Sequence, residues 1–136
     1  MKKIPILILI IFAFVACNKT KVVVVEKFDN GEPKLVKEYS GRDTLNYLET
    51  KYHENNAKMM EGRCVGGERE GRWQAWYENG TLWSEGDFKA GKNHGQHSVY
   101  YENGIMRFSG KYFEGARKGA WQFYDTLGTI IKTVEY

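Results

Sequence analysis

The chain has 136 residues, with 20 Lys and Arg against 17 Asp and Glu, 15 glycines and two cysteines. Two of the three net positive charges are Lys2 and Lys3, so the remainder is close to neutral and lacks the basic footprint of a nucleic-acid binder. Of the cysteines, Cys17 sits in the leader and only Cys64 follows it, which leaves no pair for a disulfide framework.

In chain order, Lys2 and Lys3 precede an apolar run from Ile4 to Ala16. That is the layout of a secretory signal, and it is short of the about 20 residues of a bilayer-spanning helix. The run ends in Phe14-Val15-Ala16-Cys17, which resembles a bacterial lipobox. The resemblance implies a signal peptide over 1–16, lipidation of Cys17, a lipidated tether over 17–21, and a chain held at the cell envelope on the periplasmic or outer-membrane face. Two or more acyl chains on one residue hold a protein stably at a bilayer.

A β-repeat domain is expected over 22–136, clearest over 62–136. Val22 to Val25 reads as the first strand. Turn signals follow at Asp29-Asn30-Gly31, Glu54-Asn55-Asn56, Asn79-Gly80, Asn103-Gly104 and Asp125-Thr126-Leu127-Gly128. Asn-Gly between aromatic-rich runs predicts two-residue type I′ turns, with positive φ at both residues. The segments Gly71-x-Trp73-x-x-Trp76-Tyr77-Glu78-Asn79-Gly80 and Gly95-x-His97-x-x-Tyr100-Tyr101-Glu102-Asn103-Gly104 are one block repeated, and Gly119-x-Trp121-x-x-Tyr124 begins a third copy. About five hairpins and ten strands result. The first unit is out of frame by about one residue, and Ser40 to Leu48 lacks the usual glycine pair. Frequent glycine and a period of two exclude an amphipathic helix, and short repeats of this kind form arrays that serve as binding surfaces or spacers.

Alternation assigns two faces. Trp73, His97 and Trp121 share one with Ala75, Val99 and Phe123. Leu82, Met106 and Ile130 fall on one side of their strands with Phe88, Tyr112 and Tyr136, where Gly86 and Gly110 leave room for facing rings. Trp76, Tyr100 and Tyr124 share the other face with Gln74, Ser98 and Gln122, and Glu85 and Asp87 point away from the glycines.

Gly86-Asp87-Phe88-x-x-Gly91-x-x-His94-Gly95 and Gly110-Lys111-Tyr112-x-x-Gly115-x-x-Lys118-Gly119 resemble the MORN motif. Joined to Tyr-Glu-Asn-Gly, the pattern is similar to the bacterial MORN-variant repeat, many of whose members carry a YwqK-type antitoxin label. The resemblance runs from about Phe28 to Tyr136. It implies an all-β fold, an elongated, twisted antiparallel single sheet of tandem hairpins, and a role in protein contacts, scaffolding or lipid association.

Residues with possible chemistry read better as structure. His94 and His97 form an H-x-x-H, but one period away His94 becomes Glu70 and Lys118, a loop position, and His97 becomes Trp73 and Trp121, a ring-packing slot. Zinc would also need further ligands. The Glu85 and Asp87 pair is replaced by Ser109 and Lys111. No nucleophile motif or phosphate-cradling loop is present. Cys64 occupies the slot of Phe88, Tyr112 and Tyr136, so it reads as a small buried hydrophobe. No catalytic residue, metal or cofactor is expected.

The column Tyr52, Trp76, Tyr100 and Tyr124 repeats every two strands, roughly 10 Å apart. With Trp83 it is the expected contact surface, for an unidentified protein partner or a glycan. Cross-strand ring packing is the alternative. Self-association through the open sheet edges is expected as well. The functions that follow are a membrane-anchored protein-binding or scaffolding module, an antitoxin-like protein that neutralises a toxin, or an envelope glycan-binding module.

Overall fold

The computed structural model describes residues 20–136; the leader and the lipidation candidate Cys17 lie outside the described residues. Ten strands follow one another: β1 (Thr20–Lys27), β2 (Pro33–Ser40), β3 (Tyr47–Tyr52), β4 (Lys58–Val65), β5 (Glu68–Trp76), β6 (Leu82–Lys89), β7 (Lys92–Tyr100), β8 (Met106–Phe113), β9 (Ala116–Tyr124) and β10 (Ile130–Glu135). They pair antiparallel in sequence order within a single sheet. The five expected hairpins are therefore present, and β1 begins two residues before Val22.

The two ends of the sheet turn differently. At one end each hairpin closes through a three-residue loop. Gly80 N–H donates to the Tyr77 carbonyl and Tyr77 N–H donates to the Thr81 carbonyl, both at 2.9 Å. Only the last loop residue takes positive φ, 84° at Gly80 and 83° at Gly104, and 65° at Asn56 in the loop between β3 and β4. This corrects the expected type I′ turn at Asn79-Gly80 and Asn103-Gly104. The asparagine works through its side chain: Asn79 Oδ1 accepts from Thr81 N–H at 2.8 Å, and Asn103 Oδ1 accepts from Ile105 N–H at 3.0 Å. Two successive positive φ values occur instead at the opposite end, at Gly66-Gly67, Ala90-Gly91 and Glu114-Gly115. Those are the tight turns joining β4 to β5, β6 to β7 and β8 to β9.

Next to each three-residue loop the second strand carries one extra residue. Leu82 then pairs with Trp76, Met106 with Tyr100 and Ile130 with Tyr124. Directly opposed residues share a side, so the bulge carries these three off the face of Phe88 and Tyr112 to which strict alternation assigned them.

One face of the sheet is a ring–glycine mosaic. Trp73 pairs with Gly62 on β4 and with Gly86 on β6, and His97 pairs with Gly86 and Gly110. A Cβ on Gly62, Gly86 or Gly110 would collide with the ring of Trp73, His97 or Trp121 respectively. Each ring thus lies flat over the glycine of the preceding strand, which is how a one-layer sheet buries a tryptophan. Trp121 has no exposed surface and Trp73 has 4%. Tyr47, Cys64 and Trp73 form a buried cluster supported by Tyr39, Met60 and Phe88. Cys64 is a free, buried thiol whose pKa burial pushes up, as the packing reading expects.

Candidate functional site

The second face carries a polar ribbon. Register places Thr50, Glu61, Gln74, Glu85, Ser98, Ser109, Gln122 and Thr133 in one row from β3 to β10. The row bonds within itself: Thr50 Oγ1 donates to Glu61 Oε2 at 3.1 Å, and Gln74 Nε2 donates to Glu85 Oε2 at 3.3 Å. Arg72 Nη2 lies 3.3 Å from Glu85 Oε1.

Tyr52, Trp76, Tyr100 and Tyr124 end their strands beside this ribbon, as expected for a column. Tyr100 Oη donates to Glu85 Oε1 at 3.1 Å, and Tyr124 Oη donates to Gln122 Oε1 at 3.0 Å. Burial raises the Tyr100 pKa, and the neighbouring Glu85 carboxylate adds to it. All four side chains are half-buried, and none stacks on another. The ring-to-ring contacts lie elsewhere, chiefly over the mosaic face: Tyr112 to Trp121 at 5.0 Å, Phe108 to Trp121 at 6.0 Å and Trp121 to Tyr136 at 6.2 Å.

Trp83 is 44% exposed. The structure does not bring it to the column. It occupies the bulge, its ring neighbour is Tyr77 at 6.4 Å, and it borders a hollow of about 250 Å³ together with Met60, Arg69, Trp73, Phe88 and His97. A second hollow of about 300 Å³ lies at the three-residue-loop end, where Tyr52 meets Phe28, Lys34, His53, Met59 and Glu78.

Sequence reasoning missed the links between successive hairpins. Tyr77 Oη donates to the Tyr100 carbonyl at 2.9 Å, and Tyr101 Oη donates to the Tyr124 carbonyl at 2.8 Å. His53 Nε2 lies 2.9 Å from the Trp76 carbonyl in the same role. Asn55 Nδ2 to the Glu78 carbonyl and Asn103 Nδ2 to the Thr126 carbonyl run parallel to these struts. Each strut crosses an intervening strand, so it ties one hairpin to the next independently of the sheet ladder. At the tight-turn end, Gly67, Gly91 and Gly115 N–H donate to the carbonyls of Leu45, Arg69 and Asn93. The available signal was the Tyr-Glu-Asn-Gly block itself, in which tyrosine rather than phenylalanine stands before the loop.

His97 keeps its ring-packing slot, and its ring meets Tyr112 edge-on at 5.5 Å. Its Nδ1 is buried without a hydrogen-bond partner. Burial, followed by the nearby Arg117 charge, lowers its pKa. His94 is in β7 rather than a loop, because the tight turn closes earlier, at Ala90-Gly91; its ring packs on Phe113 at 5.2 Å. Among the described residues no group of three or more His, Cys, Asp or Glu side chains is arranged to hold a metal ion. No helix among them is long and apolar enough to cross a membrane.

Two hairpins, β5–β6 and β7–β8, match a family model. The MORN repeat variant model fits residues 69–90 and 93–113. No curated protein and no solved structure matches the chain. The matched segments contain both glycine–ring pairs around Trp73 and His97 and the Tyr77 and Tyr101 blocks, and repeats of this type suggest a membrane- or protein-binding repeat module.

Proposed function

We propose that this protein is a non-catalytic lipoprotein of the bacterial cell envelope, anchored through a lipid on Cys17, whose β-repeat domain binds a protein partner or scaffolds an assembly. The observation that carries this reading is the single-layered sheet. No second layer among the described residues covers either broad face, so ten strands of ordered surface stand open to a partner. The polar ribbon with Tyr100 and Tyr124 gives that surface alternating hydrogen-bonding groups and rings, and Trp83 supplies the most exposed tryptophan.

In-cell cross-linking of tagged protein, followed by membrane purification and mass spectrometry, tests the reading, with Cys17→Ser as the anchor control. One dominant protein partner is expected, diminished in Trp83→Ala and Tyr100→Ala and lost from the membrane fraction in Cys17→Ser. A membrane-bound protein with no specific partner would overturn it. The same ribbon favours one second reading, an envelope glycan lying across the sheet, because carboxylates and amides beside rings suit hydroxyl-rich ligands. Retention on insoluble peptidoglycan that disappears in Trp76→Ala would favour the glycan.

A further inference from the structure

The two terminal strands carry the same residue type where β4 to β9 alternate glycine and ring. On the mosaic face the row reads Lys37 on β2, Glu49 on β3, and then Gly62, Trp73, Gly86, His97, Gly110 and Trp121 from β4 to β9. At the ends the same row reads valine. Val134 pairs with Trp121 where a glycine would otherwise stand, and Val23 pairs with Lys37 at the ring position of β1. A tryptophan brought alongside Val134 would meet a branched side chain where the interior rings need a glycine, so β10 is not shaped to receive another interior-type hairpin. A valine would fit, since β-branched pairs pack well across strands.

Both edges also carry exposed apolar residues. Val22 is 60% and Ile131 65% exposed, with Val24, Val25 and Ile130 also open. Among the described residues neither β1 nor β10 has a partner on its outer side. Such edges template pairing with another chain unless blunted by charge, proline or a cover. Strand parity fixes the geometry. With ten alternating strands, β1 of a second copy laid against β10 runs antiparallel to it, so the sheet continues in the same sense across the junction.

We propose that β10 of one copy pairs with β1 of a second copy, head to tail, with Val134 facing Val23 of that second copy. This goes beyond the contact face proposed above and does not depend on what that face binds. The contact is heterologous, so a twisted sheet repeats it as an open fibre rather than closing at a dimer. The hairpin struts do not continue through the junction, because Asp125, which follows β9 in the strut position, offers only acceptors. The backbone ladder and the apolar edge carry it.

The test uses the full chain in mild detergent, followed by light scattering over a concentration series. Mass is expected to rise without stopping at two copies. In a Cys17→Ser background, chains bearing Val23→Cys and chains bearing Val134→Cys should form a mixed disulfide with each other and little with themselves. Tyr136 N–H and carbonyl bond inward to Gly119, so by antiparallel alternation Thr133 points its N–H outward. Thr133→Pro should abolish the growth in mass while leaving the thermal midpoint nearly unchanged. A strict monomer at the highest concentration, or a dimer cross-linked through Val134→Cys to itself, would overturn the proposal.

Discussion

The junction between β6 and β7 and its two neighbours solve the same packing problem with unequal parts. Between β4 and β5, Trp73 covers Gly62, its Nε1 donates to the Arg63 carbonyl at 3.1 Å, and the Arg69 guanidinium lies 4.2 Å above its ring. Between β8 and β9, Trp121 covers Gly110, donates to the Lys111 carbonyl at 3.2 Å, and has Arg117 at 4.7 Å. Between β6 and β7 the ring is His97, Asn93 stands in the arginine position, and Nδ1 finds no partner. A buried polar atom without a partner costs about 1–3 kcal/mol. Of these three seams the middle one is the weakest, and the glycine row shows how far the strength of a seam depends on the ring above it.

The largest effect should come from filling the glycine under the best-packed ring. Three atoms of the Trp121 indole lie within clash distance of a Cβ on Gly110, whereas at Gly86 only His97 Nδ1 does. Gly110→Ala should therefore cost about 3 kcal/mol, the upper end of overpacking, and Gly86→Ala about 1 kcal/mol. Urea midpoints of the two variants measure the gap. Equal losses would mean that the seams are equally tight and that the comparison fails.

Restoring the missing ring should work in the opposite direction. The hollow of about 250 Å³ bordered by His97, Phe88 and Asn93 leaves space for a larger side chain. In His97→Trp, Nε1 comes into the relation with the Asp87 carbonyl that Trp73 and Trp121 have with Arg63 and Lys111. A gain of about 1 kcal/mol is expected from the added apolar burial and the recovered hydrogen bond. A thermal midpoint below that of the parent would show that the seam is shaped around histidine.

The same residue gives the middle seam a pH dependence. Burial first, and Arg117 second, hold the His97 pKa below its ordinary 6.5 in the folded chain. The unfolded chain therefore takes up a proton below about 6.5 that the folded chain refuses. This contribution leaves stability flat above that pH, lowers it as pH falls below 6.5, and levels off once the folded pKa is passed. Denaturant titrations between pH 7 and pH 5 should show the decline in the parent and a smaller one in His97→Trp. An identical slope in both would assign the effect to other groups.

How much of this was legible in the sequence depends on whether the signal was chemical or geometric. The five loops were marked by Asp, Asn and Gly, and the glycine row by its spacing against Trp73 and Trp121. Turn type was less legible. Asn-Gly suits type I′, yet a single added residue in the second strand converts each such hairpin to a three-residue loop, and no side chain announces that residue. The true two-residue turns hold Ala90 at φ 47° and Glu114 at φ 50°; only the glycine that follows each hints at it. The same bulge moved Leu82, Met106 and Ile130 to the other face and set Trp83 apart from Tyr52, Trp76, Tyr100 and Tyr124. The column itself was readable from the period, but not its half-burial, which comes from the neighbouring ribbon.

The struts are the smallest contribution and the one most evenly distributed between strong and weak seams. Tyr77 spans β6 and Tyr101 spans β8, with nearly equal bonds to the carbonyls of Tyr100 and Tyr124. Tyr77→Phe and Tyr101→Phe each remove one donor from a half-buried carbonyl and should each cost about 1 kcal/mol or less. The bonds lie at the loop end of the sheet, whereas the ring slot lies towards its middle. Tyr77→Phe combined with His97→Trp should then be additive within about 0.5 kcal/mol. A larger loss from Tyr77→Phe in the parent than in the His97→Trp background would mean that the weak seam leans on its strut. The linkage between hairpins would then compensate for the missing tryptophan rather than stand apart from it.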